Sequence, residues 1–242
     1  MWGRKVNGVT LTFHLAGINN QNFLMRDDQT GTYWQQISGR AIAGPLAGHQ
    51  LQLVPSDELT LALFRTEQPN GMVMRDVAAY VDGYAPKDWD VKLAQRYPTV
   101  VNFPEHGFGN RDVMLGVTAS GESRAFPYKR VLSEKLVQDR VGSEEVILLV
   151  GPDGQSVRAF RDAVPGASSN DIPLEFFRTP DGMMIDTQTG SRWNFKGCAI
   201  DGKAKGACLD RVEAIKDFWF DWRQYHPSTT VYLGAGRRVS AK

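Results

Sequence analysis

Asp27-Asp28-Gln29-Thr30-Gly31-Thr32-Tyr33-Trp34 returns later in the chain as Asp186-Thr187-Gln188-Thr189-Gly190-Ser191-Arg192-Trp193. Each run opens on an aspartate, turns at a glycine and reaches a tryptophan three residues on, which is the punctuation of two short strands joined by a tight turn. Working outward, the stretch from Met25 to Met74 matches that from Met184 to Tyr232 with one residue deleted. Past the deletion, Gly39, Ala41, Ile42, Gly44, Gly48, Leu51 and Val54 meet Gly197, Ala199, Ile200, Gly202, Gly206, Leu209 and Val212. Arg65, Pro69 and Val73 then meet Arg223, Pro227 and Val231. The chain reads as a divergent tandem repeat, in which positions kept in both copies serve the fold and positions that differ are free to serve function.

The flanking sequence is strand-rich. Val9, Leu11 and Phe13 alternate with Thr10 and Thr12 after the turn Val6-Asn7-Gly8, the pattern of a hairpin with one buried face. Asn22 to Arg26 and the segment holding Tyr33 and Trp34 read as further strands. Each copy continues with a Gly-bounded hairpin, Gly39 to Val54 and Gly197 to Val212, then a helix with a proline near its end and one more strand. In the second copy that helix is expected over Val212 to Tyr225, where Ile215, Phe218, Trp219 and Trp222 recur at helical spacing. Only the second copy has a preamble: strands at Val113 to Thr118, Arg124 to Phe126 and Val146 to Val150, with a helix near Tyr128 to Leu136. The fold class that follows is mainly β (α+β), two divergent repeats of short antiparallel strands, each with one packed helix, sharing a continuous core. Residues 1–75 make the first repeat, 76–111 an irregular excursion with the character of a lid or binding wall, and 112–242 the second repeat with its preamble.

Composition excludes several classes of function. Lys and Arg number 28 against 27 Asp and Glu, a net charge of +1, so there is no basic field to gather nucleic acid. No apolar run approaches the ~20 residues of a spanning helix, and no hydrophobic signal region opens the sequence. No nucleophile, zinc or phosphate-loop motif appears, and no catalytic residue, metal ligand set or cofactor is assigned.

The polar residues with the most to offer are Asn19-Asn20-Gln21-Asn22, followed by Asp27, Asp28, Trp34, Gln35 and Gln36. Amides beside an aromatic face can hydrogen-bond and stack a small polar ligand such as a sugar or heterocycle; the same amides equally satisfy turn backbone and exposed strand faces. The ligand reading takes Asn20, Asn22, Asp27, Trp34 and Gln36, with His106 from the excursion as a titrating side chain among glycines. Asp27 and Asp186, kept in both copies, read as turn formers rather than a catalytic pair. His226 precedes a proline at the end of the aromatic helix, where it caps or packs, and His14 and His49 show no evident partner. Cys198 and Cys208 flank the tight turn Asp201 to Gly206, where the other copy has Arg40 and Gln50. In a hairpin they face each other at non-hydrogen-bonded positions, close enough for a disulfide; the alternative is two buried thiols.

The run from Leu11 to Pro55, with its Gly44-Pro45-Leu46-Ala47-Gly48 element, and the later set Gly116-Val117, Arg124-Ala125-Phe126-Pro127, Trp193, Gly202, Phe218-Trp219, Trp222 and His226-Pro227 resemble the bacterial domain-of-unknown-function family 3179. The resemblance implies no settled activity. It does imply a Cys-Pro-x-Cys-Gly segment just before the first hairpin and export or lipid anchoring. This sequence begins where that segment would have ended, and the second copy has Gly151-Pro152-Asp153-Gly154-Gln155 in its place. Two functions are therefore expected. One is a non-catalytic module of extracytoplasmic, for instance periplasmic, origin that holds a small polar ligand or docks on a larger protein assembly. The other is a metal- or thiol-dependent redox protein whose Cys-x-x-Cys segment lies upstream of Met1.

Overall fold

The computed structural model describes residues 1–19, 21–86, 88–89, 92, 98–162 and 174–234. They form a mainly β protein of antiparallel sheets with a few short helices. The hairpin β1 (Lys5–Val6) and β2 (Val9–Thr10) turns at Asn7-Gly8, whose φ angles of 49° and 82° are the left-handed pair a two-residue turn requires. A meander follows, β3 (Phe13–Asn19), β4 (Asn22–Asp27), β5 (Tyr33–Gln35) and β6 (Ala41–Ala43), paired antiparallel in that order. Helix α1 (Leu61–Glu67) begins at Thr60, whose hydroxyl accepts from Leu63 N.

The second half opens with β7 (Val113–Ala119), β8 (Glu122–Pro127), α2 (Tyr128–Glu134), β9 (Leu136–Val141), β10 (Glu144–Val150) and β11 (Val157–Arg161). A second meander comprises β12 (Phe176–Arg178), β13 (Met184–Asp186), β14 (Arg192–Trp193) and β15 (Ala199–Asp201). The chain then runs through β16 (Arg211–Val212), β17 (Ala214–Phe218), α3 (Trp219–Tyr225) and β18 (Thr230–Val231). Two further sheets have the orders β17-β7-β8-β18 and β16-β11-β10-β9. Only β18, lying parallel on β8, departs from antiparallel pairing among the described strands.

The run Val146-Ile147-Leu148-Leu149-Val150 explains how these layers stack. Successive strand residues point to opposite faces, so an uninterrupted apolar run requires both faces to be covered. Val146, Leu148 and Val150 enter a core with Leu115, Val117, Phe126, Val131 and Val137, between the two sheets. Ile147 and Leu149 enter another with Phe160, Phe176, Met184 and Trp193, under the second meander. Strand β7 behaves alike: Leu115 faces the inter-sheet core, while Met114 meets Trp219 and Trp222 of α3 on the outer face. Where the sequence leads one to expect a single core through both halves, the buried apolar residues group into four clusters. That of the first meander, Val6, Leu11, Trp34, Ala41 and Leu51, draws on residues before 55 alone.

Polar contacts join the segment that follows the first meander, with α1, to the second half. Arg158 of β11, 4% exposed, donates to both Asp57 and Glu67 and lies 4.4 Å from the Phe195 ring centroid. Thr60 Oγ1 donates to Asp153 at 2.6 Å, and the Thr60 amide donates to Ser156 Oγ at 3.1 Å. Two elements differ from expectation. Ala214–Phe218 is a strand, and the helix is confined to Trp219–Tyr225, because the edge of β7 pairs residue by residue with Ala214 to Phe218 and overrides the helical spacing. No strand forms around Val73, although its counterpart Val231 lies in β18. Strand β18 pairs on the edge of β8, whereas Val73 meets no strand edge among the described residues.

Candidate functional site

Asp27 and Trp34 lie in the interior, 1% and 0% exposed. Asp27 Oδ2 accepts from Trp34 Nε1 at 2.9 Å and from the Thr32 amide at 3.2 Å, and Oδ1 accepts from the Thr30 amide at 2.6 Å. Asp186 repeats this set with Trp193 Nε1 at 2.8 Å, the Ser191 amide at 3.2 Å and the Thr189 amide. Burial works to raise both carboxyl pKa values, yet the indole, hydroxyl and amide donors outweigh it and hold both below the ordinary aspartate value. These two residues carry the turn-to-strand corner of each meander and offer nothing to a ligand. Gln36 is exposed, and its main chain closes the fold: the amide donates to Phe23 O and the carbonyl accepts from Trp2 Nε1. Asn20 lies outside the described residues.

Asn22 does meet other chemistry. Its Nδ2 donates to Asp221 Oδ2 of α3 at 2.7 Å. Alongside, Tyr225 Oη donates to Asn19 O at 3.1 Å, Gln35 Nε2 to Asn19 Oδ1 at 2.9 Å, and the Val100 amide to Gln21 Oε1 at 2.9 Å. Asp221, 6% exposed, lies within hydrogen-bonding reach of the Asp217 carboxyl. Burial, then the neighbouring Asp221 charge, pushes Asp217 up to about 7, and burial raises Asp221. Gln21 Nε2, Asn22 Oδ1, Asp217 Oδ2 and Asp221 Oδ1 are buried without a hydrogen-bond partner among the described residues. The amide cluster was legible in the sequence; the acidic pair facing it was not. Its signal was there, two aspartates four residues apart inside an otherwise aromatic stripe.

His106 lies elsewhere. It is exposed, at φ 58° beside Gly107 at 74°, in a turn anchored by Glu105, whose carboxylate accepts from Arg223 Nε and Nη2 at 2.9 Å each. The Arg223 hydrogen bonds hold the Glu105 carboxyl below its usual range. Phe108 stacks edge-on against Trp219, with centroids 5.7 Å apart, and Trp219 Nε1 donates to Phe103 O at 2.9 Å. This wall faces α2 across an open groove of about 730 Å³. Phe108, Val113, Pro127 and Leu233 give it an apolar floor, and His106, Asp112, Lys129, Arg130, Ser133 and Glu134 a polar rim. Arg130 and Glu134 pair at 3.7 Å, whereas Lys129 is exposed and makes no ion pair among the described residues. His106, Phe108, Asp112 and Val113 thus supply one wall of the groove, and Pro127, α2 and Leu233 the other.

The remaining histidines make contacts within the fold, His49 through its Nδ1, 3.0 Å from Leu46 O. His226 stacks on Trp222 with centroids 3.8 Å apart, and burial lowers its pKa. His14 has a partner the sequence did not reveal: its Nδ1 lies 2.7 Å from Oδ1 of Asp28, in the turn after β4, both side chains half exposed. Cys198 and Cys208 form a disulfide. The flanking bonds from the Ala199 amide to Ala207 O and from the Leu209 amide to Gly197 O make theirs the non-hydrogen-bonded position of the ladder. Arg40 and Gln50 are bridged in the same way. Among the described residues no group of three or more His, Cys, Asp or Glu is placed to hold a metal, and no helix is long and apolar enough to cross a membrane. Neither a curated protein nor a solved structure matches the chain. Residues 1–229 do match the family described as Protein of unknown function (DUF3179), and on that coverage the chain belongs to this family.

Proposed function

We propose that the protein is a non-catalytic binding module of extracytoplasmic origin that takes a small polar ligand with an acidic group in the groove between the His106 turn and α2. The observation that carries this reading is the groove itself, whose size of about 730 Å³ falls within the roughly 300–1,000 Å³ typical of small-molecule sites. Lys129 supplies an exposed cation at its rim without a carboxylate partner among the described residues, and the His106 ring lies on the facing side. Phe108 lines the groove braced by Trp219, and Arg223 anchors the same turn through Glu105, which supports a preformed site rather than one that must order on binding. The disulfide fits an oxidising compartment.

The two meanders are read as copies of one duplicated unit. In support, a Cβ on Gly39 or on its counterpart Gly197 would overlap the ring of Trp2 or of Phe160, and Gly44 and Gly202 press equally on Thr32 and Ser191. The binding role then falls to what surrounds the repeats, the excursion and the preamble.

Amide NMR spectra recorded with inorganic phosphate, sulfate, dicarboxylates and sugar acids test the proposal. The expected result is saturable shifts over residues 105–113 and 127–134 with one of these classes, lost in the Lys129→Ala/Arg130→Ala double variant. Saturable shifts centred on another part of the chain, or shifts unchanged in the double variant, would overturn it.

A further inference from the structure

We propose that Asp217 and Asp221 form a proton-operated latch that fastens the β3–β4 hairpin to α3, one shared proton keeping the hairpin seated and its loss releasing it. The geometry places a first-half amide, Asn22, on a carboxylate of the second half, Asp221, at 2.7 Å. Asp221 shares hydrogen-bonding reach with Asp217, and Asp217 Oδ2 and Asp221 Oδ1 are both buried without a partner if both carboxyls are ionised. One proton between the two groups supplies that missing partner, as for any pair of carboxylates forced together away from water.

The surroundings leave the proton as the main control. Strand β7 places Met114 opposite Asp217, and the hairpin contributes the neutral Asn22. Helix α3 contributes Tyr225, whose pKa is raised by burial and by both aspartates. Arg111, from the loop before β7, lies over the Phe218 and Phe220 rings at 5.4 and 5.5 Å. Besides Asn22, only the bonds from Tyr225 Oη to Asn19 O and from the Val100 amide to Gln21 Oε1 are seen to tie the hairpin tip to parts of the chain outside the first meander among the described residues, and Leu15, Ile18 and Phe23 are 62%, 71% and 52% exposed. Segments with so few buried contacts open first.

The sign follows from linkage. Asp217 titrates at about 7 in the folded chain against an ordinary 3.8, so its contribution is fully present below the lower value and is lost as pH rises through the upper one. Above that window two negative charges occupy one buried site, and separating them draws Asp221 away from Asn22.

Hydrogen exchange read by mass spectrometry, corrected for intrinsic chemical rates, tests the latch at about pH 5.5 and about pH 8.5. Peptides covering residues 13–27 and 98–103 should lose protection about tenfold at the higher pH while β9–β11 keep theirs. Asp217→Asn, which keeps the shape and donates permanently where the proton was shared, should abolish that difference. Should it fail to fold, Asp221→Asn makes the same test, its carbonyl still accepting from Asn22. Equal corrected protection at both pH values, a difference that survives the variant, or loosening spread evenly over all strands would overturn the latch.

Discussion

At the scale of single residues, the corner built on Asp27 and Asp186 sets the limit on what substitution allows. Each carboxylate gathers an indole N–H and two backbone N–H groups in the interior. Asp186→Ala leaves those donors without an acceptor and should cost about 3 kcal/mol or more in denaturant unfolding. Because its pKa is held below the ordinary aspartate value, the stability it contributes is present above about pH 4 and is lost as pH falls through the folded value. The disulfide closes a short loop, and Cys198→Ala/Cys208→Ala should lower stability by about 2–3 kcal/mol on a chain-entropy estimate, read as a fall in thermal midpoint. Trp34 shows why such residues mislead. An aromatic side chain beside amides has one sequence signature whether it faces a ligand or the core, and only the indole bond to Asp27 at 2.9 Å decides between them.

At the scale of elements, the contacts between halves are where the fold is most exposed to mutation. Arg158 is buried and donates to the half-buried Glu67 and to Asp57 at the surface, to which Arg211 also donates. Removing the guanidinium in Arg158→Ala leaves two carboxylates near each other, one of them still paired with Arg211, and should cost about 2–3 kcal/mol, with α1 losing hydrogen-exchange protection before β10 does. Gly116 sits under the Trp222 ring, where an added Cβ would overlap it. Gly116→Ala should therefore displace α3 and cost about 1–3 kcal/mol, seen as a red shift of tryptophan emission together with a lower thermal midpoint. Short elements were legible where turn chemistry marks them, as at Asn7-Gly8 and Ser120-Gly121, both with positive φ at each residue. The β17–α3 boundary was not, since Ile215, Phe218, Trp219 and Trp222 suit a helix and the strand exists only because β7 has a free edge to pair.

At the scale of the whole molecule, the carboxylates pull stability in opposite directions with pH. Burial raises Asp162 and Asp217 to about 7 each, while Asp153, despite its burial, is held to about 2 by hydrogen bonds from Ser156, Thr60 and Gln155. The raised groups lose their contribution as pH climbs toward 7, and the lowered ones lose theirs only below about pH 4. His226, lowered by burial, opposes the raised pair as the medium acidifies, but one modest shift does not cancel two large ones. The thermal midpoint should therefore peak on the acid side of neutrality and fall toward pH 8, and a profile that rises steadily to pH 8 would refute this. The groove was only half visible in the sequence: His106 marked one wall, whereas Lys129 and Arg130 gave no sign of facing it, because residues 106 and 129 meet only through the packing of α2 and α3 on the β7–β8 sheet. Occupancy of that groove is read most directly by native mass spectrometry of the protein isolated from its own source, beside the Lys129→Ala/Arg130→Ala variant expressed there. The predicted result is a small adduct of constant mass that disappears on denaturation and is missing from the variant. A bare chain, or an adduct that the variant retains, would contradict a ligand in this groove.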